Sequence, residues 1–299
     1  MPYRYVAERT ALIVVLLAAC GRFGFDDRAA DATTGDAIDA GFGPWSRPVR
    51  MTDLDSAIDP DDDPTLTGDL LEVFWDSGRP PGSSGDVFTA RRALATDPFG
   101  AASIVTELRS PKDDTTPDIS PDGLTLYFAS DRVTARDRDI FRSTRTDRSS
   151  LWSAPVRVVE LSSPQDDGPA IETADGLSIY ISSERTGAGD IYVATRTAPG
   201  LPWGTPALVP GLSGTPRVEN QFWMDPTATL LYFTTTTGTG TDIWLARRSA
   251  TDQPFGPPEA VDAINTIAAD SDPWLSPDLR TLVFASDRDG SFDLYITTR

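Results

Sequence analysis

From Trp45 onward the chain is built of short apolar runs, each about the length of one β-strand, separated by Pro, Gly and Asp; no stretch carries the long 3.6-residue period of an amphipathic helix. The second of its repeating units shows the pattern. "LTLYFAS" (Leu124–Ser130) alternates so that Leu124, Leu126 and Phe128 share one face while Tyr127 and Ala129 occupy the other. Apolar residues on both faces predict a strand covered on both sides. It is preceded by "TPDIS" (Thr116–Ser120) and the turn "PDG" (Pro121–Gly123), and followed by "DIFRSTR" (Asp139–Arg145) and "APVRVVEL" (Ala154–Leu161). Pro presets its backbone angle and Gly permits a positive one, which is turn chemistry. At the matching turns "TGDL" (Thr67–Leu70), "TADG" (Thr173–Gly176) and "DPTA" (Asp225–Ala228) the glycine is mostly lost, so the turn tolerates drift.

The unit recurs five times. Phe74, Phe128, Ile181, Phe233 and Phe284 follow one another at 54, 53, 52 and 51 residues, and Trp45, Phe99, Trp152, Trp203 and Phe255 mark a second phase at 54, 53, 51 and 52. Four strands per unit at such a period predict propeller blades. The last unit stops after its third strand, "DLYITTR" (Asp293–Arg299), whereas residues 47–54 ("RPVRMTDL") form an orphan strand that matches the fourth strand of the other units. The expected fold is therefore all-β: a five-bladed β-propeller of four-stranded antiparallel blades over residues 45–299, closed by the N-terminal strand completing the last blade. Closure of this kind removes exposed sheet edges.

"DISPDGLTLYFASDR" (Asp118–Arg132) and "DPWLSPDLRTLVFASDRDGSFDLY" (Asp272–Tyr295) resemble the TolB-like propeller repeat family, and the likeness runs from Trp45 to Arg299. It implies the blade fold and a location in the bacterial cell envelope. TolB itself has six blades and an additional α/β domain; five units are legible here, so TolB's partners are not carried over.

The N-terminal segment has its own pattern. Arg4 and Arg9 precede a nine-residue apolar run, Ala11–Ala19, too short to span a bilayer, which leads into Cys20, the sole cysteine. "LAAC" (Leu17–Cys20) resembles a bacterial lipobox, which implies a signal peptide over residues 1–19 and a lipid-modified Cys20 that anchors the protein to a membrane; an ordinary secretory signal is the alternative. Gly21, where Asp would imply retention at the inner membrane, points to the outer membrane, facing the periplasm or the cell surface. Residues 20–44 carry the lipidated Cys and a flexible acidic tether too poor in apolar residues to fold alone.

Charge and composition narrow the chemistry. With 45 acidic against 26 basic residues the net charge is −19, which excludes a nucleic-acid partner. Histidine is absent, which removes Ser-His-Asp and Cys-His catalysis and any His-ligated metal. Asp61, Asp114, Asp166, Glu219 and Asp270 recur three residues before the inner-strand proline or its equivalent. They read either as a ring at the channel rim, able to hold calcium or a cationic peptide, or as side chains that cap their own loops; repetition in every blade favours the second. Asp86, Asp139, Asp190, Asp242 and Asp293, which open the third strands, read the same way. Asp287, Asp289 and Asp293 resemble the start of a calcium loop without its distal Glu, and a hairpin turn is the plainer reading. The neighbours Asp131/Arg132, Glu184/Arg185 and Asp287/Arg288 read as loop salt links.

Departures from the repeat carry more information. Unit four has "TTTTGTGT" (Thr234–Thr241) in place of the acidic-Arg loop, unit one carries a long loop over residues 76–85, and Trp223 and Trp274 occupy equivalent positions in units four and five, as space-fillers or as a platform for a ligand. The leading functional expectation is a monomeric, non-catalytic binding scaffold without a cofactor, taking an envelope protein, peptide or glycan; the alternative is a carbohydrate-active enzyme that uses a carboxylate pair. Replacing Cys20 by Ser should release the protein from the membrane fraction, and retention there would refute the lipobox.

Overall fold

The computed structural model describes residues 42–56, 59–80, 85–134, 137–187, 189–212, 221–237 and 240–299. Cys20, the signal segment, most of the tether and Glu219 lie outside them. The described residues form five four-stranded antiparallel sheets and no helix. Blade one runs outward through Asp61–Leu66, Glu72–Ser77, Asp86–Arg91 and Ser103–Ile104. The inner strands of blades two to five are Asp114–Ile119, Asp167–Glu172, Phe222–Met224 and Asp270–Leu275. The ring closes as expected: Val49 and Arg50 pair with Ile296 and Tyr295 as the outer strand of blade five. That strand is shorter than the predicted 47–54, because the chain turns away at Met51, whose carbonyl accepts the Leu54 N–H (2.9 Å), and Leu54 is buried.

Second strands such as Glu72–Ser77 and Thr281–Ser286 are buried along their whole length. The apolar clusters lie between blades. Phe74, Val87 and Leu108 of blade one pack with Ile119, Phe128 and Trp152 of blade two, and Ile140 and Leu161 of blade two pack with Ile179 and Tyr192 of blade three. Each blade thus supplies half of two cores, which is why its strands are apolar on both faces.

The predicted phase slips by one residue in blade one. Trp75, not Phe74, is the partner of Phe88, as Phe128 is of Phe141 and Phe284 of Tyr295. Arg79 lies over Trp75 as Arg132 lies over Phe128 and Arg288 over Phe284. Phe74 points to the opposite face and meets Trp152 of the next blade edge-on at 5.9 Å. A one-residue slip reverses the face in a strand, and two adjacent large aromatics hide it from a spacing count.

The second aromatic phase holds, and the structure supplies its partner. Each of these rings lies under an arginine just beyond the third strand: Arg92 over Phe99 (4.2 Å), Arg145 over Trp152 (4.4 Å), Arg196 over Trp203 (3.9 Å), Arg248 over Phe255 (4.5 Å) and Arg299 over Trp45 (4.3 Å). The Nε–H of each donates to a carbonyl in the turn between the first two strands, at Leu70, Gly123, Gly176, Ala228 and Leu279, over 2.6–2.8 Å. All five acceptor residues have positive φ, from 54° to 76°. The glycines of the turn serve this conformation, and Leu70, Ala228 and Leu279 adopt it without glycine because the clamp holds it.

Gly123→Ala should therefore destabilise the fold by about 1–3 kcal/mol, since left-handed backbone costs an L-residue about 1–2 kcal/mol and its Cβ would meet Arg148 Nε at 2.8 Å and Arg145 Nη2 at 3.2 Å. Gly176→Ala, whose nearest neighbour is Glu172 Oε1 at 3.2 Å, should cost less. Urea denaturation of both variants checks the order, and equal losses would contradict the tighter Cβ contact at Gly123 as the source of the difference.

Candidate functional site

Asp61, Asp114 and Asp270 are buried at the start of their inner strands, where each carboxylate is tied into its own blade. Asp61 accepts the Ser56 N–H (2.9 Å), the Trp75 indole N–H (3.0 Å) and Arg79 (2.5 Å). Asp114 accepts Ser110 N–H (2.6 Å) and Arg132, and Asp270 accepts Thr266 N–H (2.6 Å) and Arg288. In blade three this place belongs to Asp167, which accepts Ser163 N–H (2.5 Å) and Arg185 (3.1 Å), and not to Asp166. Blade three reaches its proline one residue sooner, "DGP" (Asp167–Pro169) against "DDDP" (Asp61–Pro64), so counting back from the proline picks the wrong Asp. Asp166 instead faces Arg138, whose Nε and Nη2 donate to it at 3.0 and 2.5 Å.

The arginines of the neighbouring acidic-Arg pairs accordingly turn away from the residue beside them. Arg132 goes to Asp114, Arg185 to Asp167 and Arg288 to Asp270, each eighteen residues distant in the chain. The weak calcium candidates also take separate partners: Asp287 accepts the Ala269 N–H (2.8 Å), Asp289 the Tyr295 hydroxyl (2.6 Å), and Asp293 pairs with Arg50 (2.9 Å). Burial and the neighbouring Asp55 push the Asp293 carboxyl up to about 6.

A second acidic group adjoins the channel. The inner strands leave a narrow waist of about 30 Å³ lined by Asp63, Thr116 and Asp272 among a set of prolines. These three residues sit at equivalent bulges with φ of 51°, 49° and 54°. Carboxylate oxygens of Asp62, Asp63 and Asp76 all lie within 4.8 Å of one another. Burial raises Asp63 and Asp76 well above the usual carboxylate range, and the charges of their neighbours act in the same direction. Asp272 rises to about 7, by burial first and by Asp62 next. The sequence signal for this group was the break in symmetry. Only blade one carries three successive acids before the proline, and Asp76 stands where the other blades have Ala129, Ser182, Thr234 and Ala285.

At the mouth formed by the turns between first and second strands the channel widens into a cleft of about 420 Å³, lined by Asp118, Tyr127, Glu172, Trp223 and Trp274, with Pro121 on its rim. The structure thus places the two tryptophans together: both also line the waist, each is 6% exposed, and Trp223 meets Tyr232 edge-on at 6.3 Å. They fill space between blades and show an edge to the cleft. Glu172 accepts the Tyr127 hydroxyl (2.9 Å) and pairs with Arg196. Burial pushes Asp118 up to about 8, with the Glu172 charge acting in the same direction. Sequence reasoning missed both carboxylates because each lies inside an inner strand and belongs to no repeated position.

The fold defines the class, a five-bladed β-propeller. No protein-family model and no curated protein matches the chain. Among solved structures it is similar to TolB from Acinetobacter baumannii, with a TM-score of 0.51 and 16% identity over 81% of this chain; it spans only 55% of that TolB. It is also similar to an α-L-arabinofuranosidase from Podospora anserina (TM-score 0.56, 12% identity, 85% of this chain and 96% of that one). A family 117 glycoside hydrolase from Zobellia galactanivorans gives 0.57 and 11%, over 86% and 90%. At these identities the likeness is one of fold, shared by TolB and by glycoside hydrolases.

The raised Asp118 carboxyl has a consequence for stability. A carboxyl favoured as the neutral form in the fold contributes fully below its unfolded value near 4, and that contribution is lost as pH rises through about 8. Asp118→Asn should match the wild type in urea midpoint near pH 4 and exceed it at pH 9; parallel pH profiles for the two proteins would refute the assignment.

Proposed function

We propose that this protein is a non-catalytic binding propeller of the bacterial cell envelope, held to a membrane through a lipidated Cys20, acting as a monomer and taking its ligand in the cleft between Trp223, Trp274 and Asp118. The observation that carries this reading is the commitment of the acidic side chains: Asp61, Asp114, Asp167 and Asp270, which open the inner strands of four blades, are engaged by arginines and loop N–H groups, and Glu172, the second carboxylate of the cleft, is engaged by Arg196 and Tyr127. What remains open to a ligand is aromatic edge beside a neutral carboxyl that donates and accepts hydrogen bonds. That combination suits a glycan. The lipobox pattern and the likeness of the blades to TolB support the envelope location.

One observation favours hydrolysis instead. Asp118 and Glu172 come from adjacent blades and line the same cleft, with Asp118 held neutral at pH 7, the state a general acid requires, on a fold shared with glycoside hydrolases. The readings separate on a panel of cell-wall and plant polysaccharides. Retention on one polymer without released sugar, weakened at least tenfold by Trp223→Ala or Trp274→Ala, is the expected result. Reproducible release of sugar that disappears in both Asp118→Asn and Glu172→Gln would make the protein a glycosidase.

A further inference from the structure

We propose that blade one carries a divalent-cation site, selective for calcium, in which Asp62, Asp63 and Asp76 supply carboxylate oxygens and the Thr116 hydroxyl supplies a fourth ligand. This site is distinct from the cleft, and the inference does not depend on what the cleft binds.

The geometry is that of a shared ion. Two oxygens each bound to one calcium at about 2.4 Å are at most about 4.8 Å apart. The three carboxylates of Asp62, Asp63 and Asp76 meet that limit together. Asp272 adds a fourth acid, lying against Asp63 and holding the Ser271 hydroxyl at 2.7 Å. Arg138 faces this group, and its guanidinium is taken up by Asp166, to which Nε donates at 3.0 and 3.1 Å and Nη2 at 2.5 Å. Four acids, Asp76 and Asp272 buried and Asp62 and Asp63 half-buried, therefore adjoin one another beside an arginine already paired. Such a group holds protons or a metal ion.

Thr116 points to the metal. It is 2% exposed, and its hydroxyl has no hydrogen-bond partner. Its own N–H donates to Asp76 Oδ1 (3.1 Å), and the residue lines the channel waist with Asp63 and Asp272, so the residue that carries the orphan oxygen adjoins the acidic group on two sides. A buried hydroxyl left without a partner is unfavourable, and a coordinated ion removes that cost. The waist of about 30 Å³, which Asp63 and Thr116 line from the site's side, accommodates an ion or a single water. All the donors are hard oxygens, which select calcium or magnesium over softer metals. Magnesium keeps several of its waters, for which this waist has no room, whereas calcium accepts an irregular set of protein oxygens. The site also falls where the repeat is broken, since Asp62 and Asp76 have Thr115 and Ala129 as their counterparts in blade two and Ser271 and Ala285 in blade five.

The test uses the full chain stripped with a chelator. Titration calorimetry with calcium chloride should give one ion per chain, and 1 mM calcium should raise the melting temperature by several degrees, with magnesium far weaker. Asp76→Asn should fold, bind no calcium and show no rise. Thr116→Val, which keeps the shape and removes only the hydroxyl, should lower calcium affinity about tenfold or more without lowering the melting temperature of the metal-free protein. Asp114→Asn, whose carboxylate serves the Arg132 loop, should keep the calcium response. No calcium binding by the wild type at 10 mM overturns the proposal, and so does binding that survives unchanged in both Asp76→Asn and Thr116→Val.

Discussion

The fold depends on an arginine held between a turn carbonyl and an aromatic ring, repeated once per blade. Each guanidinium joins the inner turn of its blade to the segment leading into the outer strand, so four strands joined otherwise only by sequential hairpins are fastened across their width. A hydrogen bond from a charged donor contributes about 1.5–3 kcal/mol and a cation–π contact about 0.5–2 kcal/mol. A planar guanidinium can stack and donate at once; an ammonium cannot. A second set, Arg79, Arg132, Arg185 and Arg288, fastens the opposite end of four blades through the carboxylates that open the inner strands. These nine positions account structurally for part of a basic composition of 25 arginines and one lysine.

Because these fastenings are common to the blades, they define what every blade needs, and the remaining polar groups stand out against them. Blade one places Asp63 at the channel with Asp62 and Asp76 grouped beside it, blade four replaces its acidic-Arg loop with threonines, and blades four and five contribute adjacent tryptophans. The asymmetric residues gather on the axis. That is where five inner strands converge and where low solvent access raises carboxyl pKa values through burial and mutual repulsion. The waist and the cleft are consecutive widths of one channel, joined by Trp223 and Trp274, so a charge change at the waist lies next to the surface that would meet a ligand.

Some of this was legible in the residues alone. The number of blades, the burial of both faces of the second strands and the completion of blade five by the N-terminal strand follow from local periodicity, since a strand's pattern reports what covers it and a repeat's period reports how much chain one blade consumes. That Trp223 and Trp274 fall at equivalent positions, and that an Asp opens the inner strand at Asp61, Asp114 and Asp270, was legible for the same reason.

Tertiary structure alone decided the register and the pairings. Trp75 takes the role expected of Phe74 because two adjacent aromatics hide the face, and Asp167 that expected of Asp166 because the proline of blade three stands one residue nearer; only the register between strands separates them. Arg132 bonds Asp114 rather than the Asp131 beside it because the hairpin brings residues eighteen apart into contact. Asp62 and Asp76 meet as cross-strand partners of one hairpin, whereas Asp118 with Glu172, and Asp76 with Thr116, come from adjacent blades that only the packing of the blades brings together. A strand's own sequence encodes its burial; which side chains share a site is encoded in the hydrogen-bond register between strands and in the geometry of closure.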